Sequence, residues 1–365
     1  MGGAENGVRF GGSAGTLAGM SLHIAPVDAD DPASVAAWVQ VMSQVCDHET
    51  PHFPRISERA GQLMQRHRFP ARVVRDRVAW LDGVPVGRLE LVYMTEQNLK
   101  HLVFTLEVVP AYRRRGIGRA LFEHVLAYAR EHGLTELVSS SSLSMPGLPA
   151  PDEAGPAFAT ALGFTNTLPE VQRRLSMADV DENVLAGMEA AARAKAAGYR
   201  LVHWHGAAPA ELVERLAYLD SRLMTDAPMG DLKVEPEKPD VTRFRRIEEV
   251  VAARQRRTYH AGAVHEDSGD LVAWTFISIG EAPWHAFQQI TIVDPKHRGH
   301  RLGALVKVAN LRYFRENEPQ IEHIDTFNAA ENSYMVSINE QMGFRRMAAF
   351  QTWQRDLDPA TEQPA

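Results

Sequence analysis

The feature that most constrains this chain is a repeat. Pro110, Arg113 and Gly118 recur as Pro295, Arg298 and Gly303, each 185 residues further on. Gly163-Phe164 recurs as Gly343-Phe344, 180 residues further on. Two chance matches would not preserve the order of elements between them, so the chain reads as two copies of one supersecondary plan. The length of 365 residues agrees, since ordinary domains hold roughly 100–200.

Hydrophobic periodicity supplies that plan. Ser21 to Val27 reads as a strand, and Asp31-Pro32 opens a helix with Val35, Trp38, Val39 and Met42 on one side. A second helix runs over about Ser57 to Arg68. Arg77–Leu81 and Val84–Tyr93, joined by Asp82-Gly83, predict a hairpin. His101 to Val109 is a strand, and Leu121, Val125 and Leu126 mark a helix ended by Gly133. Leu134–Ser140, a short helix at Pro156–Leu162 and a strand near Gln172–Leu175 complete the copy. From Tyr199 the same order restarts, with a second helix over Thr242–Arg257 and strands at Phe287–Val293 and Ile321–Phe327.

Between strand and helix lies Arg113-Arg114-Arg115-Gly116-Ile117-Gly118-Arg119. A helix N-terminus carries unpaired N–H groups and a partial positive charge, and glycines let an anion approach them. Four arginines add charge, so the turn suits a phosphate-bearing ligand. The spacing is Arg-x-x-Gly-x-Gly, which differs from the dinucleotide fingerprint and from the Walker loop.

Strand, proline, Arg-x-x-Gly-x-Gly, helix and a later Gly-Phe pair together resemble the acyl-CoA-binding motif of the GCN5-related N-acetyltransferase (GNAT) superfamily. The resemblance covers nearly the whole chain after the leader. It implies an α/β chain (α+β mixed sheet) of two tandem GNAT-fold domains, each a twisted mixed β-sheet flanked by helices. The expected boundaries are a disordered leader 1–20, an N-terminal domain 21–178, a linker helix 179–198, a C-terminal domain 199–358 and a disordered tail 359–365. The two-half architecture is similar to that of mycothiol synthase.

The implied cofactor is acetyl-CoA or another acyl-CoA. In the first half Leu106, Glu107 and Val108 would hydrogen-bond the pantetheine arm, and Arg113, Arg114, Arg115, Gly116, Ile117, Gly118 and Arg119 would grip the pyrophosphate. In the second half the counterparts are Thr291, Ile292 and Val293, then Arg298, Gly299, His300, Arg301, Leu302 and Gly303. Arg301 stands where the first half has Gly116. The second half adds Asn328 and Asn332, similar to the family's Asn-bearing segment. The loop around Asp226 and Asp231 lies where the family binds its acceptor, and those carboxylates would hold a cationic amine.

Only the free amine attacks a thioester, so an ammonium must first lose a proton. Candidates for the base are Glu107 in the first half and His285, Glu281 and Asp325 in the second. Many family members carry a Tyr four residues before Gly-Phe as the acid for the thiolate; here those positions are Ala159 and Asn339. Tyr334 is the substitute if its helix turns it inward. The better-formed Asn segment points to the C-terminal half as catalytic, with the N-terminal half holding CoA structurally.

A net charge of −7 argues against a nucleic-acid partner. Cys46 is the lone cysteine, which excludes a disulfide framework or cysteine zinc site and fits a reducing cytoplasm. His203 and His205 share one face of a strand but lack further ligands, so no metal is expected. No apolar run approaches the ~18 residues that suggest a membrane span. The expected protein is a cytoplasmic monomer or homodimer that acetylates a small-molecule amine. The alternatives are an acyl-CoA sensor without turnover and an acetyltransferase acting on protein N-termini or lysines.

Overall fold

The structure is a computed structural model that describes residues 13–17, 20–148, 152–226, 228–232 and 234–358. In chain order the first half contains β1 (Ser13–Leu17), β2 (Met20–Pro26), α1 (Pro32–Glu49), α2 (Glu58–Arg66), β3 (Arg72–Leu81), β4 (Val84–Met94) and β5 (His101–Val108). It continues through α3 (Ile117–His132), β6 (Glu136–Leu143), α4 (Ala154–Ala161) and β7 (Thr165–Ser176). The connecting helix is α5 (Glu182–Arg193). The second half contains β8 (Tyr199–His205), α6 (Val213–Ser221), α7 (Leu223–Asp226), α8 (Val241–Ala253), β9 (Arg257–His265), β10 (Leu271–Ile279) and β11 (His285–Val293). It ends with α9 (Leu302–Asn317), β12 (His323–Ala329), α10 (Ser333–Gln341) and β13 (Arg345–Asp356).

Local chemistry accounts for these elements. The Asp31 side chain accepts from the Ala33 amide with Pro32 in the first helical turn, which starts α1. Ser57 caps α2 through Ala60. Asp82 and Gly83 both adopt positive φ, 48° and 82°, the geometry of a tight hairpin turn between β3 and β4. Gly133 closes α3 in the left-handed conformation.

One sheet runs through the described chain, in the order β1-β2-β3-β4-β5-β6-β13-β7-β12-β11-β10-β9-β8. The last strands of the two halves have changed places. β13 lies antiparallel to β6, and β7 lies antiparallel to β12. The cores follow the strands: Trp353 and Leu357 pack in the first half's core with Phe104 and Phe122, and Leu175 packs in the second half's core with Ile324 and Phe344. The boundaries drawn in the sequence keep each final strand with its own half, and the sheet exchanges them. β7 and β13 also pair with each other along most of their length, which makes the seam continuous.

Three local differences from the sequence reading are plain. Ser13–Leu17, inside the expected leader, pairs with β2; residues 1–12, 18–19 and the tail 359–365 lie outside the described residues. β7 begins at Thr165, well before Gln172, because its pairing with β13 extends it. α8 stops at Ala253, since Gln255 takes φ 57° and Arg257 enters β9. Among the described residues no helix is long and apolar enough to cross a membrane.

Candidate functional site

In each half, two parallel strands touch at one end and then diverge. β5 and β6 pair over His101–Val103 and Glu136–Val138. β11 and β12 pair over His285–Phe287 and His323–Asp325. Beyond those residues backbone groups and side chains of β5 and β6 face a gap. A cavity of about 1040 Å³ opens there in the N-terminal half. Its wall comprises Phe104–Val108, Tyr112, Arg113, Arg114, Gly116–Arg119, Ser139–Ser142 and the α4 residues Gly155 and Phe158. α1 and α2 add Cys46, Glu49, Arg59 and Met64. The opposite wall comes from across the seam: Arg254–Arg257, Gly280–Ala282, His285, Phe287, Phe350 and Trp353.

The anion turn has the expected form. Gly116 is the N-cap of α3 at φ 85°, and no side chain caps the helix. The first amides, at Ile117, Gly118 and Arg119, therefore remain available to a ligand. Gly118 lies against Phe158, 3.4 Å from where a Cβ would stand, so a side chain there would narrow the cradle. Arg113 behaves differently from expectation. Its Nε donates to the Val108 carbonyl at 3.0 Å, and its two Nη atoms reach Asp152 and Glu49 at 2.5 Å each. It ties the end of β5 to α1 and to the approach to α4, while Arg114 and Arg119 are the turn's exposed arginines that line the cavity. Arg115 folds back, donating to the Ala111 carbonyl and stacking over Tyr112.

The second turn has the same backbone with its glycine moved. Arg114 and Gly116 take φ 62° and 85°; their counterparts Gly299 and Arg301 take 90° and 55°. Each turn therefore has one glycine and one arginine at its two left-handed positions, and α9 is likewise uncapped. Two of the second turn's side chains, Arg298 and His300, are engaged within their own half or with the linker. Arg298 pairs with Asp226 at 3.0 Å, and Asp226 also holds Arg222. His300 meets the Lys195 carbonyl. Thr291 bonds Thr275, and Ile292 is core. Asn328 accepts from Asn339, and Asn332 caps α10. Asp231 is exposed, and its amide reaches the Thr167 carbonyl. None of Thr291–Gly303, Asn328, Asn332, Asp226, Asp231 or Tyr334 lines the cavity.

The candidate bases separate clearly. Glu107 lines the cavity but is paired with buried Arg88 at 2.5 Å. Asp325 is 0% exposed and does not reach the cavity. Its carboxyl is held below the usual range: burial alone would raise it, and hydrogen bonds from Arg174 and His285 outweigh that. Tyr334 is 60% exposed at the start of α10, so its helix does not turn it inward. His285 and Glu281, proposed for the C-terminal half, face the N-terminal half's cavity instead. The C-terminal half thus contributes to the cavity beside the first turn, which the sequence reading assigned a purely structural part. Sequence reasoning missed Arg88, Phe53, Phe287 and Phe350. The aromatic ones gather around Phe53, 6.1–6.4 Å from Phe287, Phe327 and Phe350, and no local pattern announces them.

Comparisons with known proteins agree with this geometry. Residues 40–145 match the Acetyltransferase (GNAT) family. No curated protein matches the chain by sequence. Among solved structures, a tandem GNAT protein from the clavulanic acid biosynthesis pathway is similar over 93% of this chain and 99% of its own, at 30% identity and a TM-score of 0.78. A GCN5-related N-acetyltransferase from Sphaerobacter thermophilus shares the fold at 12% identity, over 92% of this chain and 96% of its own, with a TM-score of 0.60. So does the glucosamine N-acetyltransferase region of a fungal multi-domain GH3 β-N-acetylglucosaminidase, at 13% identity and TM-score 0.63, over 92% of this chain and 38% of that one. Fold, motif and the 30% relative along its full length agree: the chain belongs to the GNAT superfamily, in its tandem form.

Proposed function

We propose that the protein is an N-acetyltransferase that transfers acetyl from acetyl-CoA to the primary amine of a small molecule by direct attack in a ternary complex. The observation that carries this is the single cavity running from an uncapped helix N-terminus to an aromatic seam. The amides of Ile117, Gly118 and Arg119, with Arg114 and Arg119, would hold the pyrophosphate. The diverging edge of β5, Leu106 to Val108, would hold the pantetheine arm through its backbone. The bound thioester supplies an acyl group activated towards amines. Phe53, Phe287 and Phe350 would pack the body of the acceptor and exclude water, which favours a small molecule over a protein chain. The engagement of Arg298 by Asp226 favours one cofactor per chain, at the first turn.

Calorimetry with CoA is expected to give one site per chain, and incubation with acetyl-CoA and a panel of small amines is expected to release free thiol. Binding without thiol release from any amine would favour the second reading, an acyl-CoA sensor, for which Ala159 and Asn339 at the usual Tyr positions speak. No binding at all would sink both.

A further inference from the structure

The ammonium of an acceptor needs a proton acceptor in the cavity, and most titratable groups on the wall are already engaged. Glu107 is paired with Arg88. Glu49 accepts from Arg113 and from Ser142. Glu281 accepts from the Ser57 amide and hydroxyl. The Cys46 thiol donates to the Thr50 carbonyl, and burial pushes its pKa up. His285 is different. It begins β11 in the C-terminal half, is 2% exposed, and lines the N-terminal half's cavity.

Its partners fix its tautomer. The Asp325 carboxylate accepts from Arg174 Nε and Nη2 at 2.7 Å each, from Gln172 Nε2 at 2.9 Å and from His285 Nε2 at 2.7 Å. An ionised carboxylate only accepts, so His285 carries a hydrogen on Nε2, and in the neutral imidazole the lone pair is then on Nδ1. Phe287 and Trp284 stand edge-on to the imidazole, with centroids 4.6 and 5.1 Å away, and hold the ring in one orientation. Arg174 comes from β7, the exchanged strand, so the seam itself builds the pair. Arg174 acts on Asp325, and His323, which itself feels Glu322, is in electrostatic contact with both Asp325 and His285.

We propose that His285, supplied by the C-terminal half, is the base for acetyl transfer in the N-terminal half's cavity, with Asp325 as its positioning residue. This rests on the acetyltransferase reading above. One proton passes from the acceptor's ammonium to Nδ1. The free amine nitrogen then forms the C–N bond as the thioester C–S bond breaks. The second amine proton leaves with the thiolate as thiol, and the imidazolium returns its proton to water. The amide product and free CoA thiol account for every atom, and the histidine ends as it began. Each half thus supplies one part of a single centre: the first grips the cofactor, the second deprotonates the acceptor.

The test has two arms. In the ligand-free protein, 15N spectra of assigned histidines are expected to show His285 as the Nε2–H tautomer; an Nδ1–H tautomer overturns the proposal. In turnover, His285→Gln keeps an amide donor for Asp325 but removes the base. Its kcat is expected to fall about 100-fold or more, with KM for acetyl-CoA little changed. Its rate is expected to climb towards wild type at alkaline pH, where solvent deprotonates the amine. A merely structural role would not give that recovery. Asp325→Asn is expected to alter the pH profile in the same sense while CoA still binds. A wild-type chain that acetylates no amine overturns the function reading and this role with it. An active wild type beside a His285→Gln variant within about threefold, with the same pH profile, overturns this role alone.

Discussion

At the scale of single residues, the two anion turns show how much one left-handed position decides. A β-branched side chain costs roughly 1–2 kcal/mol in that conformation, and it would also stand over the amides that a phosphate must approach. Gly116→Val is therefore expected to weaken CoA binding about tenfold or more, read by calorimetry, with the fold intact by circular dichroism. Arg301→Gly, at the matching position of the second turn, is expected to leave CoA affinity unchanged, because that turn does not line the cavity. Equal losses from both variants would mean that both turns bind. The turn itself was legible in the sequence, since its residues are neighbours and their spacing is the signal. The use of Arg113 was not. Glu49 and Asp152, which occupy its guanidinium, lie 64 and 39 residues away, and nothing local ties them to it.

At the scale of elements, the repeat exposes a substitution inside a helix. In α3, Phe122 packs with Phe104 and Phe164 at centroid distances of 6.0 and 5.9 Å. The matching position in α9 is Lys307, 1% exposed, with its ammonium 5.5 Å from the Phe344 ring centre. Burial pushes its pKa down from 10.5 to about 7. The folded chain then binds fewer protons than the unfolded one between those values, so stability rises with pH across that window. The slope is at most about 1.4 kcal/mol per pH unit, and the penalty is full below the folded value. Lys307→Met is expected to raise the thermal midpoint at pH 7 and to flatten the rise between pH 7 and 10. A wild-type curve that is already flat there would show that Lys307 keeps its proton. The repeated order of elements placed a helix at α9, yet it could not mark Lys307 as buried, because a long cationic side chain on a helix is ordinarily solvated.

At the scale of the whole molecule, the exchanged strands make the two halves interdependent. Without β13 the N-terminal half loses Trp353 and Leu357 from its core and leaves the edge of β6 unpaired. Without β7 the C-terminal half loses Leu175 and the partner of β12. An unpaired, apolar-faced strand edge invites aggregation. Residues 20–178 expressed alone are expected to be insoluble or poorly folded, and so are residues 179–358, while the two fragments produced together are expected to assemble and elute as one complex. A well-folded monomeric fragment with a sharp thermal transition would contradict this.

The sequence by itself determined the repeat, the order of elements in each copy, the anion turn and the family, because each is written in short-range spacing and periodicity. Only the tertiary structure decided which half's last strand closes which sheet. β7 and β13 both follow a Gly-Phe pair and both serve as a final strand, so their local patterns do not tell them apart. The choice lies in contacts between residues far apart in the chain, such as Trp353 Nε1 to Ser141 Oγ at 2.9 Å. The same exchange brought His285 and Glu281 to a cavity more than a hundred residues upstream, where reading each half alone would not look. Side-chain chemistry is local and can be read along the chain. Which chemistries meet depends on how strands from distant segments pair, and that is set by the packing of the finished sheet.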